Sequence, residues 1–194
     1  MLAGALSLAL LMLLPGCLPF PHTRTYRPVS SLEKQALERA NRNVFPDDVR
    51  RALPDHSSTV LAWPGVIVSS DFVEHADKIE IKFLLEHHYY SWLEDFSIQR
   101  ERIFLSPRGE GPFRTSWFVR KEDGDTAAVR SAARPGNLLI VYGSPDQITD
   151  DGVISVSAAY IRPIDAQWYR TDVMDYGRPG QPARLLKAPG RDRR

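Results

Sequence analysis

The sequence lacks most of the features that would reveal its chemistry directly. It contains one cysteine in 194 residues, which argues against a framework of disulfides. It has no Gly-x-Ser-x-Gly nucleophile motif and no P-loop, so no class of catalyst is visible. Its formal net charge is only +1, and it therefore lacks the strongly basic balance that is typical of nucleic-acid-binding proteins.

Charge is also missing from the N-terminus, because residues 1–17 hold no acidic or basic side chain. The apolar run over 1–14 is shorter than the roughly 20 residues that a helix needs to cross a bilayer core. A run of this kind, followed by small residues, is typical of a secretory signal peptide. The segment 14–17, Leu-Pro-Gly-Cys, resembles a bacterial lipobox, in which cleavage precedes a lipid-modified cysteine. We therefore predict a lipoprotein signal peptide over 1–17; a buried cysteine at the end of an N-terminal helix is the alternative.

Acylation is the most economical use of Cys17, the sole cysteine of the chain. Acyl chains contribute roughly 0.8 kcal/mol per buried CH₂, so several of them hold a soluble domain firmly on a membrane. Residues 18–29 contain three prolines and predict an extended tether. The membrane is therefore the expected partner, reached through the acylated cysteine.

The C-terminal tail, 177–194, is rich in proline and arginine and has few apolar residues, which predicts disorder. It carries six basic residues and one acidic residue, a net charge of +5, and this leaves the rest of the chain at −4. A domain with a net charge of −4 does not attract the negatively charged phosphate backbone of a nucleic acid. We therefore expect no nucleic-acid partner.

Residues 30–53 are predicted to form a helical segment. Ser30 and Glu33 have the spacing of a capping box, which marks the start of a helix. Apolar residues then recur at helical spacing, at Leu32, Ala36, Leu37 and Ala40. Pro46 favours the start of a second short helix, and Pro54 favours its end.

Strand character begins near residue 58. The run 59–70 is rich in β-branched residues but contains Pro64-Gly65, for which we expect a bulge or bend on an edge strand. The run 77–90 alternates clearly, with one face formed by Ile79, Ile81, Phe83, Leu85, His87 and Tyr89. The second run therefore predicts a long, half-buried strand.

Four further segments complete the predicted domain. A short strand is expected at 101–105, and the strand at 112–120 has a mostly apolar face of Phe113, Thr115, Trp117 and Val119. Residues 126–134 predict a brief helix or a loop, and 137–143 predict a continuously apolar strand. The last strand is expected at 153–164, with one side formed by Ile154, Val156, Ala158 and Tyr160 and the other by Ser155 and Ser157.

About five short strands separated by turn signals predict a mainly β fold. Closure into a barrel removes the exposed edges that an open sheet must protect. We expect a small OB-like barrel, closed or partly open, over 54–176. It would follow a short N-terminal helix and have room for one helix between its third and fourth strands.

Three segments resemble, in order and spacing, the Slp-type (starvation-inducible) outer-membrane lipoproteins of Gram-negative bacteria. They are "ERIFLSPRGEG", "PGNLLIVYGSP" and "VISVSAAYIRPI", and the resemblance covers about 58–165. The counterparts of the family's strand, turn and glycine-bounded strand are 102–105, Gly109 or Gly111, and 136–143. The resemblance implies an OB-like barrel without known catalytic residues, lipidation at Cys17, and sorting to the outer membrane because Leu18 follows the cysteine.

The densest cluster of functional groups is "EHHYYSWLED", which raises the question of a metal site or an enzyme. Zinc needs three or four converging ligands, but His87 and His88 point to opposite faces of a strand. We therefore predict no metal site, no cofactor and no catalytic residues. An enzyme that uses His87, Asp95 and Glu86 remains an alternative, and it would require those groups to converge in a pocket.

Aromatic side chains are the other candidate feature, because OB barrels often stack ligands on them. The candidate ligand or partner surface is formed by His88, Tyr89, Tyr90, Trp92 and Trp117. Phe96 is a further aromatic residue of the same segment. A core role or a protein contact fits the net charge of the body better than nucleic-acid binding does.

Together these patterns predict a lipid-anchored lipoprotein of the bacterial envelope, at the periplasmic face of the outer membrane. It would act as a structural or binding module without catalysis and could take an envelope protein as partner. The alternative is a periplasmic OB domain that binds a ligand or partner through the aromatic surface.

Overall fold

A computed structural model describes residues 26–95, 100–122, 125–171, 174–175, 177–178 and 184–185. The predicted signal peptide with Cys17, most of the tether and most of the tail lie outside the described residues.

The described residues contain four α-helices and ten strands. The helices are α1 (Ser31–Arg39), α2 (Pro46–Arg51), α3 (Leu53–His56) and α4 (Thr126–Ala132), and a 3₁₀ helix spans Ala166–Trp168. The strands are β1 (Leu61–Glu74), β2 (Lys78–His87), β3 (Tyr90–Asp95), β4 (Arg100–Leu105), β5 (Pro112–Arg120), β6 (Leu138–Ile148), β7 (Ile154–Ile164), β8 (Tyr169–Thr171), β9 (Met174–Asp175) and β10 (Arg184–Leu185).

Five of these strands form a closed barrel in the order β1-β2-β5-β7-β6, with β6 pairing back to β1. Every pairing in it is antiparallel except that of β5 with β7, which is parallel and joins Phe113–Thr115 to Ile154–Val156. Helix α4 lies between the third and fourth barrel strands of the chain. The predicted mainly β, OB-like barrel with a helix at this place is confirmed.

Strands β3, β4 and β8 form a separate three-stranded sheet. The strand predicted at 101–105 therefore exists as β4 but is not part of the barrel. It is inserted, with β3, between the second and third barrel strands.

The barrel interior is filled by side chains that alternate along the strands. On β2 the predicted face is buried from Ile79 to His87, and β5 contributes Phe113 and Thr115. The hydrophobic interior includes Leu61, Trp63, Ile67, Ile79, Ile81, Phe83, Leu85, Phe113, Val129, Leu139, Val141, Ile154, Val156 and Ile161. Each large apolar side chain that is fully buried contributes about 1.5–3 kcal/mol, so this interior is a principal source of stability.

The first part of strand β6, 138–143, is buried on both faces, which explains its continuous apolar run. Leu139 and Val141 point into the barrel, whereas Leu138, Ile140 and Tyr142 belong to a second apolar cluster. Side chains of α1, β4 and Tyr26 cover this second cluster. Alternation is therefore absent from this part of β6 because neither of its faces meets water.

The expectation for Pro64-Gly65 is wrong, since β1 continues through it with partners on both sides. The bulge of β1 lies at Val68 instead. Glycine is required at 65 by close packing, because a Cβ there would lie 2.8 Å from the ring of Phe113 and 2.9 Å from Cβ of Leu85. This glycine reflects a packing constraint rather than a break in the strand.

The predicted orientation of Tyr160 is also wrong. Ala159 has no partner on β6, so β7 has a bulge there and its alternation shifts by one residue. Beyond the bulge Ile161 enters the barrel interior, and Tyr160 packs outside it, 6.0 Å from the ring of Tyr142.

Helix α1 is attached to the barrel wall through the buried side chain of Glu33. Its carboxylate accepts hydrogen bonds from Tyr26 Oη, from Tyr142 Oη at 3.2 Å and from Arg162 Nη1 at 3.3 Å. It also accepts the backbone N–H of Val29 at 2.7 Å. Burial raises the pKa of both tyrosines above the usual range, so their hydroxyls stay protonated and donate.

The predicted capping box is half present. Ser30 Oγ accepts the Glu33 N–H at 3.1 Å, but the Glu33 carboxylate accepts from Val29 and reaches the barrel. Farther along, α2 begins at Pro46 as predicted, whereas Pro54 lies in the first turn of α3 and does not end the helical segment.

We predict that Glu33→Ala lowers the free energy of unfolding by about 3 kcal/mol or more. The substitution leaves the Arg162 guanidinium largely buried without its carboxylate, and breaking one partner of a buried ion pair has a cost of this size. The measurement is chemical denaturation of the purified chain. The matched control is Glu38→Ala on the same helix, whose side chain is 63% exposed and which should change stability by less than about 0.5 kcal/mol. Equal stability of the two variants would contradict the role assigned to Glu33.

Candidate functional site

Two cavities in the described structure are candidate sites, one on the barrel wall and one formed by the segments beyond the end of β2. The first, the wall groove, has a volume of about 450 Å³ and is lined by Lys82, Phe83, Arg114, Thr115, Ser116, Phe118, Asp146, Gln147, Thr149, Ser155, Val156, Ser157 and Ala158. The second, the end pocket, has a volume of about 350 Å³ and is lined by Asp47, Tyr89, Arg108, Gly109, Glu110, Gly177 and Arg178.

The aromatic residues singled out in the sequence lie in different environments. Tyr90 packs in the second apolar cluster, edge-on to Tyr26 at 6.2 Å between ring centroids. Tyr89 lines the end pocket, and Trp117 packs against the barrel interior from β5. His88 Nδ1 lies 2.8 Å from the backbone oxygen of Ser106. The side chain of Trp92 and all of Phe96 lie outside the described part of the structure, and the described side chains are not gathered on one exposed surface.

His87 is fully buried at the end of β2. Its Nδ1 accepts the backbone N–H of Glu110 at 3.2 Å, so in the neutral ring the proton lies on Nε2. Nε2 has no hydrogen-bond partner in the described structure, and the rings of Phe45, Trp63 and Tyr89 stand edge-on to the imidazole. Burial lowers the pKa of His87 to about 3, which makes the ring a weak base near neutral pH.

The groups that the enzyme alternative would need are not assembled among the described side chains. His87 lies on the interior face of β2, with its ring 6.1 Å from that of Trp63, whereas Glu86 is on the opposite face of the strand. The side chain of Asp95 lies outside the described part. Within the described residues no three His, Cys, Asp or Glu side chains are close enough together to hold a metal ion.

The end pocket is organised by Arg178, which lies in the segment that the sequence predicts to be disordered. Its Nε donates to Glu110 at 2.7 Å, and its Nη1 donates to both carboxylate oxygens of Asp48 at 2.9 and 3.0 Å. Glu110 also accepts from Tyr89 Oη and from the Asp47 N–H at 2.8 Å. Burial by itself would raise the pKa of Glu110, but these hydrogen bonds, with Arg178 foremost, hold it below its usual range.

Sequence reasoning missed this cluster because its members are far apart along the chain. Arg178 is 68 residues from Glu110 and 130 from Asp48. No local spacing signals such contacts, and the basic composition of the tail suggested a solvated segment instead.

The wall groove opens where β5 and β7 separate. Their parallel pairing ends at Thr115 and Val156, where Thr115 Oγ1 donates to the Val156 carbonyl at 2.8 Å. Interior-facing side chains therefore form the floor of the groove, namely Phe83, Thr115, Val156 and Ala158. The floor is mainly apolar and continuous with the barrel core.

The walls of the groove are polar and come from two sides. One side holds Lys82 on β2 with Arg114, Ser116 and Phe118 on β5; the other holds residues of β6, β7 and their hairpin, namely Asp146, Gln147, Thr149, Ser155 and Ser157. Phe118 is 56% exposed, and Lys78 Nζ lies 5.0 Å from the centroid of its ring. The groove thus combines an exposed aromatic ring, two cations and several neutral hydrogen-bonding groups.

Comparison with known proteins leaves the family open. No family of known proteins matches the chain, and neither a curated protein nor a solved structure is significantly similar to it. The resemblance to Slp-type lipoproteins therefore stays a prediction from the motifs. In the described part of the chain, no helix combines the length and apolar character needed to span a bilayer.

We predict that His87 makes the fold sensitive to mild acid. Its pKa is about 3 in the folded protein and about 6.5 in an unfolded chain. Between these values the unfolded chain binds a proton that the folded protein does not. The free energy of unfolding therefore decreases as the pH falls below about 6.5, by up to about 1.4 kcal/mol per pH unit.

Urea denaturation between about pH 6 and pH 5 measures how the free energy of unfolding changes with pH. In this range most carboxylates are ionised in both states and contribute little to the change. His87→Phe should flatten this pH dependence. Leu85→Ala, on the same face of the same strand, removes no titrating group and should lower stability while keeping the wild-type slope. An unchanged slope in His87→Phe would show that the imidazole is not its source.

Proposed function

We propose that this chain is a lipid-anchored lipoprotein of the bacterial envelope, at the periplasmic face of the outer membrane, and that its barrel is a non-catalytic binding module. The anchor is Cys17, supported by the apolar uncharged run that precedes it. Tyr26 is the first described residue and already packs in the second apolar cluster. Tyr26 lies nine residues after Cys17, a stretch that spans at most about 30 Å when fully extended, so the barrel would stay close to the lipid.

The absence of catalysis is supported by how the buried ionisable groups are used. Glu33 is paired with Arg162, and Glu110 is paired with Arg178. His87 is held neutral with a pKa of about 3, whereas general acid–base catalysis works best with a pKa near the operating pH. This use of the buried charged groups, each paired with an opposite charge, supports a role without catalysis.

The observation that carries the binding role is the wall groove. The barrel interior is packed with large side chains such as Trp63 and Phe113, so a ligand would have to bind outside it. The wall groove is open to solvent, has an apolar floor and presents exposed polar side chains. Concave sites with an apolar lining and a few placed polar groups are typical of ligand pockets.

The anchor is tested by expressing the full gene with radiolabelled palmitate. We predict that the wild-type protein is labelled and recovered with membranes. Cys17→Ala should abolish the label and leave an unprocessed precursor, because the acylated sulfur atom is gone. Ser7→Ala, within the same uncharged run, is the matched control and should be labelled like the wild type.

A Cys17→Ala protein that is processed and fractionates like the wild type would contradict the anchor. That result would not bear on the proposed binding role of the wall groove, which is tested separately by ligand binding.

A further inference from the structure

We infer that the wall groove binds an oligosaccharide that carries carboxylate groups. This inference rests on the proposed binding role and names the ligand class, but it does not depend on the lipid anchor.

The direction of the groove favours a ligand that lies across the strands. Its lining runs from Lys82 on β2, over Arg114 on β5, to Ser155 on β7 and Gln147 on β6. Three neighbour-to-neighbour steps at about 4.8 Å each give a path of roughly 14 Å or more. A peptide that extended the sheet would run along the strands and bond to their backbones. A ligand held across the strands is instead recognised by side chains.

The neutral polar side chains of the groove match sugar hydroxyls. Four of the wall side chains are serine or threonine, and Gln147 adds an amide. Ser116 already bonds to Glu80 and Thr149 to the Val153 carbonyl, so a ligand would mainly meet Ser155, Ser157 and Gln147. Hydroxyls and amides both donate and accept hydrogen bonds, as sugar hydroxyls also do. Gln147 and Ser157 are exposed, and the Gln147–Ser155 contact is long at 3.4 Å, so rearrangement towards a ligand would cost little.

An apolar surface beside these groups suits the carbon face of a sugar ring. Phe118 is the most exposed aromatic side chain among the described large hydrophobic residues. The floor adds Val156 and Ala158. Covering apolar surface contributes about 25 cal/mol per Å², and the polar walls then fix the orientation of the ligand.

The charge of the groove favours carboxylates on the ligand. Lys82 pairs with Ser116, and Arg114 lies two residues earlier on β5, so the two cations are diagonal neighbours. The Arg114–Asp151 pair is 3.4 Å long and exposed on both sides, and such pairs contribute only about 0–1 kcal/mol. Lys82 is 56% exposed and its Nζ lies 4.0 Å from Glu80 Oε1, a separation too long for a hydrogen bond. Neither cation is therefore strongly held by its neighbouring carboxylate, and Asp146 is the one acidic residue of the lining.

The test uses the purified full-length chain in detergent and isothermal titration calorimetry. The acidic probe is a hyaluronan hexasaccharide, which has a carboxylate on every second sugar. The neutral probe is an N-acetylglucosamine hexamer, and the peptide probe is hexaglutamate. We expect the acidic sugar to bind more tightly than the neutral one, and hexaglutamate to bind more weakly than both.

The variants locate the binding in the groove. Phe118→Ala should weaken binding of both sugars about tenfold, and the double variant Lys82→Gln with Arg114→Gln should weaken only the acidic sugar to that extent. These side chains are exposed, so thermal melting should stay close to wild type. The matched controls are Trp168→Ala and Arg134→Gln, an exposed aromatic residue and an exposed cation outside the groove lining.

Three results would overturn the inference. The first is a Kd weaker than about 1 mM for the acidic sugar with the folded wild-type chain. The second is binding that the groove variants leave unchanged. The third is hexaglutamate binding as tightly as the acidic sugar and with the same dependence on the variants. Each can occur while Cys17 is normally acylated, so failure here is distinguishable from failure of the anchor.

Discussion

The parallel contact between β5 and β7 is the constraint on which both the fold and the site depend. It joins Phe113–Thr115 to Ile154–Val156 and is the step that turns five strands into a closed barrel. Because it is only three residues long, it closes the interior at one end and leaves a gap at the other. The wall groove occupies that gap, so the same contact that removes an exposed sheet edge also creates a concave surface.

Polar groups inside this fold stabilise it only where a partner satisfies them. Glu33 joins α1 to the barrel because two tyrosines and Arg162 share its carboxylate. Glu110 likewise joins the loop before β5 to the C-terminal segment through Arg178. His87 is the exception, since its buried Nε2 has no hydrogen-bond partner in the described structure. The imidazole is tolerated because it stays neutral among aromatic rings.

Much of the barrel could be predicted from the sequence because side-chain alternation is a local signal. The buried face of β2 from Ile79 to His87 follows directly from its period of two. Alternation alone does not predict a bulge. At Ala159 one extra residue moves every following side chain of β7 to the opposite face of the strand. The role of Gly65 is hidden from the sequence for a related reason: it is set by Phe113, a residue 48 positions later in the chain.

The candidate site was harder to predict than the fold. The sequence places Ser155 opposite the side of Ile154 and Val156, and in the structure Ser155 lines the wall groove on the outside of the barrel. Nothing local indicates that β5 and β7 are neighbours, because parallel strands pair across a long connection. Tyr89 and Tyr90 are adjacent in an aromatic-rich segment of the sequence, yet Tyr89 lines the end pocket and Tyr90 packs in the second apolar cluster. Adjacent residues on extended backbone point in opposite directions.

The most direct test of the account is the extent of the β5–β7 contact in solution, measured by nuclear Overhauser effects between backbone protons of the two strands. The account predicts cross-strand contacts between Phe113–Thr115 and Ile154–Val156 that stop at Ser116 and Ser157. Contacts that continue through Phe118 would close the groove and contradict the account. A complete absence of contacts would contradict the closed barrel itself.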